Sequence, residues 1–341
     1  MARPTLADLA REAGVSVATV DRVLNRRHPV RRETAQRVLA AAEASGYHAT
    51  GLIRQRLEQG AIERKLGFVL LRSTPFYRAL GAALADATRS SLLIRGKPIL
   101  EFLDDLTPRA VSERLLQMGT RAHAVGVVAA DHPNVTQAID QLQGRGVPTF
   151  ALISDLTAGG RAGYIGLDNR KVGRTAAWTI ARLCRTPGKV GIVVGSHRYL
   201  CQELCEISFR AYFREHAPEF RVLEPLVSLE DLRLAHEATL ALLRRHPDLV
   251  GLYVAGGGIE GVVEALREDI SSERIVTVCH DLTEPTRAGL IDGVVDLVIS
   301  HPLAALAERT VAAMARALGS ASTDGPNEIL LPFDLSIAEN V

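Results

Sequence analysis

Asp131, Asp155, Asp168, Asn169, His197, Arg198, Asp281 and His301 share one kind of position in this chain: each closes or follows a short apolar run, as do His132, His280 and Ser300. In open parallel sheets a ligand sits beyond the carboxyl ends of the strands. Carboxylates and amides there suit adjacent hydroxyl groups, because each oxygen can accept from a different one. Phe76 and Tyr77, after the first run, offer an apolar ring face something to stack on. The pattern points to a sugar or polyol, while any one of these residues could instead cap the helix that follows its strand.

His132, His197, His280 and His301 raise the question of a metal. No HxxxH or HxH spacing occurs, so none is expected. Cys201 and Cys205 could share a helix face as a soft pair, but no further paired ligand is spaced for them. With Cys184 and Cys279 they read as buried thiols, too few and scattered for a disulfide scaffold.

A different chemistry stands at the amino end. Thr5 precedes the apolar residues Leu6, Leu9, Ala10 and Ala13, with Asp8 three positions on, a capping-box start for a helix that Gly14 ends. Ser16 can cap a second helix whose Val20, Val23 and Leu24 face inward. Val17, Ala18, Asp21 and Arg22 are left outside. A third helix over 33–45, stopped by Gly46, completes a helix-turn-helix pattern. Val17 and Ala18 can touch only thymine methyls or sugars in a major groove, whereas Arg22 can fork onto guanine O6 and N7. Thr5, Thr19 and Asn25 would hold phosphates and set register. Asp21 could accept from a cytosine, or complement the amino end of its own helix, the preferred reading.

One motif argues for an enzyme or redox sensor. Gly256, Gly258 and Gly261 form GxGxxG after a strand at 252–255 and before a helix at 262–267, with Asp281 about twenty residues on, the dinucleotide fingerprint in its required context. It stands deep in the chain instead of opening a nucleotide domain, and Asp281 equally fits the ligand role. NAD binding is the alternative; no enzyme and no cofactor is the expectation.

The elements that must position these groups alternate. Apolar, β-branched runs at 67–71, 99–103, 125–130, 149–154, 164–168, 190–195, 250–255, 275–280 and 295–300 are separated by helical stretches such as 135–142, 172–183, 235–245 and 303–317. Continuous apolar strands bracketed by helices mean parallel sheets covered on both faces. About 250 residues of this exceed one doubly wound sheet, so the chain is split near 168–173. The expected fold is a small all-α helix-turn-helix head plus α/β, two doubly wound parallel-sheet lobes. Residues 1–47 form the head, 48–65 a hinge or linker, and 66–341 the two lobes, with a second crossover near 296–302. Residues 318–328 are a Gly, Ser, Thr and Pro linker, and 329–337 reads as a last strand pair.

The 341 residues are 47% hydrophobic and 23% charged, enough for a large core. No run of about 18 apolar residues predicts a membrane span. The first residues lack an apolar signal region, so a cytoplasmic protein is expected. A net charge of +1 conceals an asymmetry: residues 1–65 hold 12 Lys and Arg against 7 Asp and Glu, a net +5, and the remainder holds 28 against 32, a net −4. The basic end is the nucleic-acid end.

Thr5-Leu6-Ala7-Asp8-Leu9-Ala10, Ala13-Gly14-Val15-Ser16, Thr19-Val20 and Arg22-Val23-Leu24-Asn25 together resemble the start of the LacI/GalR family of bacterial transcription regulators. Asp21 and Arg31 depart from its usual Ser and small polar cap. Tyr164-Ile165-Gly166-Leu167-Asp168-Asn169, Gly173 and Ala176-Ala177 look like the lobe crossover of that family's ligand domain, which has the type I fold of periplasmic sugar-binding proteins. The resemblance implies a homodimeric repressor on a pseudo-palindromic double-stranded operator, switched by a small effector. It places Tyr47 among the DNA contacts, and Leu57, with Arg54 or Arg56 beside it, as a wedge for the minor groove. The usual Pro and Asn after the tyrosine are absent, since Tyr47 is followed by His48, Ala49 and Thr50. Phe76, Tyr77 and Asp281 match effector-contacting positions. Cys205 stands where relatives often offer Arg, which disfavours an acidic effector.

Overall fold

A computed structural model describes residues 4–25, 30, 32–51, 53–54, 62–72, 74–269, 275–319 and 327–341. The head is three helices, α1 (Leu6–Glu12), α2 (Val17–Asn25) and α3 (Arg32–Ser45). Thr5 and Asp8 exchange backbone and side-chain hydrogen bonds as a capping box. Gly14 takes φ 62, a left-handed turn that lets Val15 N–H return to Ala10 O at 2.9 Å. Leu9, Val20, Val38, Leu39 and Ala42 interlock as the head's core, and Ile53 is buried with them. Ile53 N–H donates to Ala49 O at 3.1 Å, so the packing of the head reaches into the stretch read as linker.

Behind the head stand two sheets. The first runs β12-β5-β4-β3-β1-β2, all parallel, from β1 (Glu63–Leu70), β2 (Arg95–Phe102), β3 (Ala124–Val127), β4 (Thr149–Leu152), β5 (Gly163–Leu167) and β12 (Asn327–Leu331). The second runs β13-β11-β10-β9-β6-β7, from β6 (Lys189–Val194), β7 (Arg221–Val222), β9 (Leu249–Val254), β10 (Val276–His280), β11 (Leu297–Ser300) and β13 (Asp334–Ser336), with β8 (Leu226–Val227) also on β6. Only β13 is antiparallel among these pairings.

Helices cover the sheets, which is why whole strands such as β3, β4 and β5 are buried end to end. The chain leaves the first sheet after β5 through the helix Asn169–Leu183 and enters the second at β6. It returns after β11 through the helix Leu303–Ala317 to β12, then crosses a third time from β12 to β13. The stretch 329–337 is therefore no hairpin: one strand extends β5 and the other extends β11. Alternating hydrophobicity cannot distinguish a strand pair from two strands that each complete a different lobe.

Candidate functional site

The three crossovers put the carboxyl ends of β1, β3, β4 and β5 opposite those of β6, β9, β10 and β11. A cleft with about 870 Å³ of empty space, part of it open to solvent, lies between them. The first lobe contributes Phe76, Tyr77, Ile153 and Asn169; the second contributes Tyr199, Gln202, Glu230, Glu260, His280, Asp281 and His301. Two hydrogen bonds donated by backbone amides bridge the lobes at its edge. Asp131 N–H donates to Arg198 O at 2.7 Å and Cys201 N–H to Ser154 Oγ at 3.4 Å.

Asp281 is the structural centre of the second lobe's wall. It takes φ 58, a conformation that costs an ordinary side chain energy. Its Oδ1 accepts from both the His301 amide and His301 Nδ1 at 2.9 Å. An ionised carboxylate only accepts, so Nδ1 carries the hydrogen, and Nε2, the other ring nitrogen, is buried without a partner among the described residues. Phe76 lies 5.7 Å from the same ring, centroid to centroid. Burial pushes the Asp281 carboxyl up, but the His301 charge and hydrogen bonds outweigh it and hold the group below the usual carboxylate range. Two neighbouring residues, Leu229 and Glu230, also take positive φ, at 53 and 58.

His280 is buried beside them and shares a 2.8 Å hydrogen bond with Tyr253 Oη. Burial lowers its pKa to about 4, helped by His301 and opposed by Asp281. An unfolded chain takes up a proton near pH 6.5 that the folded ring refuses until about pH 4. Stability contributed by this ring is thus fully present above about pH 6.5 and lost as pH falls toward 4. Urea unfolding at pH 7, 5.5 and 4.5 should show that decline, and a shallower one in His280→Gln; equal slopes would remove His280 as a cause.

Of the residues expected to bind a ligand, Phe76, Tyr77, Asn169, Asp281 and His301 line the cleft, and Asp131, Asp155, Asp168, His197 and Arg198 do not. Each of the latter carboxylates is satisfied locally. Asp131 accepts from Thr157 N and Oγ1 at 2.9 and 3.1 Å. Asp155 is clamped in a two-pronged pair by Arg161 at 2.8 and 3.0 Å, and Asp168 caps the helix Asn169–Leu183. His197 meets Glu206 at 2.8 Å, and Arg198 serves the cleft edge through its carbonyl.

On the head, Ser16, Val17, Ala18, Arg22 and Asn25 are exposed along one side of α2, with Val17 47% exposed, and Thr19 is partly exposed beside them. Ser16 Oγ accepts from the Thr19 amide at 3.2 Å and closes the helix start. Arg22 forms no ion pair among the described residues. Asp21 lies past the first turn of α2 and accepts from Asn25 Nδ2 at 2.6 Å, so it braces a neighbour and does not complement the helix end. Tyr47 is packed into the head's apolar core and is 8% exposed, instead of facing outward. Arg54 is ion-paired with Glu43, and Leu57 lies outside the described residues.

The family profile of the periplasmic binding protein domain matches residues 104–322. The chain belongs to that family. In addition, the profile of bacterial regulatory proteins of the lacI family matches residues 5–50, the three-helix head and the turn that follows it. Similar curated proteins include the HTH-type transcriptional regulator MalR of Streptomyces coelicolor, 31% identical over 57% of this chain and 55% of its own length, and the HTH-type transcriptional regulator reg1 of Streptomyces lividans, 31% identical over 57% and 54%. The chain thus spans about half the length of these relatives. Among solved structures, an ABC transporter solute binding protein from Agrobacterium vitis bound with α-D-tagatopyranose has a TM-score of 0.72 at 21% identity, covering 81% of this chain and 95% of that one. Another from Burkholderia graminis, in complex with D-arabinose, has a TM-score of 0.75 at 18% identity, covering 82% and 97%.

Within the periplasmic-binding-protein domain the GxGxxG loop does packing work. A side chain at Gly257 would meet Gly195 backbone at 2.3 Å, and one at Gly261 would meet Leu232 O at 2.0 Å, where the helices Ile259–Glu268 and Leu232–Arg245 touch. Gly261→Val should therefore lower stability by at least about 1 kcal/mol in urea unfolding, as overpacking does; unchanged stability would mean the helices have slack. Glu230 stands beside the loop and Glu260 within the motif, an unfavourable setting for a pyrophosphate.

Sequence reasoning missed Tyr199, Gln202, Glu230 and Glu260. Glu230 follows β8, a strand of two residues too short to register as an apolar run. Gln202 belongs to the first turn of the helix Leu200–His216, where no strand end marks it.

Proposed function

We propose that this chain is a DNA-binding transcription regulator, a repressor, whose operator affinity is switched by a sugar or polyol held between the lobes of its periplasmic-binding-protein domain. The observation that carries the reading is the presence in one chain of an exposed α2 face bearing Val17, Ala18 and Arg22 and of a cleft that pairs aromatic rings with carboxylates. It is supported by the transcription regulators among its relatives and by the sugars named for two proteins of similar fold. Two heads of a homodimer would read the half-sites of a pseudo-palindrome, since two-fold protein symmetry asks for matching DNA. The protein would work in the cytoplasm, where that DNA is.

As a switch, the ligand must favour one arrangement of the lobes over another; a coupling of about 1–3 kcal/mol is ordinary. Closing on the ligand would act on the edge contacts Asp131–Arg198 and Ser154–Cys201. A thermal-shift screen of the full chain over hexoses, pentoses, polyols and NAD distinguishes the readings, because selective binding to the folded state raises its melting temperature. A shift with a sugar or polyol and none with NAD is expected. A shift with NAD alone would replace the sugar reading with a redox-sensing one.

A further inference from the structure

The cleft carries three carboxylates, and only Asp281 has a cationic partner among the residues that line it, the His301 ring. Glu230, Glu260 and Asp281 line it, and among the described residues lining it there is no Lys or Arg. Both side-chain amides that line it are engaged within the protein, and Asn169 Nδ2 donates to Tyr164 Oη at 3.3 Å. Gln202 Oε1 accepts from the Gly195 and Ser196 amides at 2.7 and 3.1 Å, and its Nε2 donates to Glu230 at 3.0 Å. Burial raises the Glu230 pKa; the Gln202 hydrogen bond opposes this, the field of Glu260 adds to it, and Arg72, an exposed residue outside the lining, opposes it. On the same lobe, His301 is a second and independent sign of a missing partner: its side chain is 5% exposed, its Nδ1 is fixed by Asp281, and Nε2 is buried with nothing to bond to among the described residues.

We propose that the ligand is a polyol bearing a protonated primary amine, an amino sugar or amino polyol, with the ammonium held by Glu230 and Glu260 and a hydroxyl reaching Asp281 and His301. The inference rests on the sugar reading above and narrows it. An ammonium brings three donors and no acceptor, which matches a wall of carboxylates, and its charge relieves the mutual repulsion of Glu230 and Glu260. Hydroxyls of a neutral sugar could occupy the same acceptors but would leave that repulsion in place. A phosphate or carboxylate on the ligand would add to it.

Isothermal titration calorimetry of the full chain at pH 7 tests this with D-glucosamine, D-galactosamine and D-mannosamine, their parent hexoses and their N-acetyl derivatives. At least one amine should bind about tenfold or more tighter than both its parent and its N-acetyl form, the gain of a charge-assisted over a neutral contact. Glu230→Gln and, separately, Glu260→Gln should shrink that preference by weakening the amine more than its parent hexose; unfolding curves confirm that each variant is folded, and either one suffices. A parent hexose that binds as tightly as its amine overturns the amine assignment and leaves the sugar reading standing. Binding by none of the nine overturns the amine assignment too, and the screen over other sugars and polyols then decides the sugar reading by itself.

Discussion

Asp281→Ala is expected to weaken ligand binding by about 1.5–3 kcal/mol, roughly ten- to more than a hundredfold in Kd, the usual cost of removing a charged hydrogen-bond partner. Two effects combine in it. The carboxylate lines the cleft, and the same group fixes the His301 ring through Nδ1 and the backbone amide. Losing it removes one acceptor and frees the His301 ring, which also lines the cleft. Asp281→Asn separates these from the backbone. Asparagine tolerates a φ of 58 better than alanine does, so the Asn variant should keep the fold's stability but still lose affinity through its missing charge. Calorimetry with whichever sugar the screen finds gives the affinities, and urea unfolding gives the stabilities. Full affinity in Asp281→Asn would reduce this residue to a structural part of the loop.

Arg22→Ala is expected to relax base preference at one position by about 1–3 kcal/mol, the worth of a bidentate contact to guanine. Val17 and Ala18 beside it have no donors and Asn25 Nδ2 is tied to Asp21, so no neighbour on that face offers a guanidinium fork. Thr19→Ala should behave differently, weakening binding by a similar ratio on every sequence, since a phosphate contact positions the protein without reading bases. Competition binding against a set of single-base operator variants separates the two outcomes. Unchanged selectivity in Arg22→Ala would move base reading elsewhere on the head.

Much of the fold was legible because its long elements obey local rules. Residues 190–195 read as a strand because both faces of β6 are covered and no polar residue interrupts the run. The capping box at Thr5 and Asp8 and the turn at Gly14 depend on neighbours within four residues, and the sequence displays them directly. What stayed hidden depends on distant partners. The two strands at 329–337 belong to different lobes, and Ile53 joins a core whose other members lie at least six residues away.

The cleft shows the same division. The strand-end rule locates polar residues along the strand axis but does not say which of them already has a partner. Asp155 has Arg161 six residues on, and Asp131 has Thr157 twenty-six away, so both are satisfied outside the cavity. Asp281 was found because strand β10 ends against the open cleft. Glu230 was not, because its strand is too short to see and its position depends on an unusual backbone turn.

The central claim is that a DNA-reading head answers to a ligand bound in a cleft behind it. Fluorescence anisotropy of the full chain, titrated onto promoter fragments from its own genomic neighbourhood with and without the sugar that the screen selects, tests this most directly. The account predicts binding to one fragment over random DNA, weakening steeply as salt rises, and a ligand-dependent change in Kd of about 5- to 150-fold. Equal binding to all fragments, or a Kd that ignores a ligand known to occupy the cleft, would contradict it.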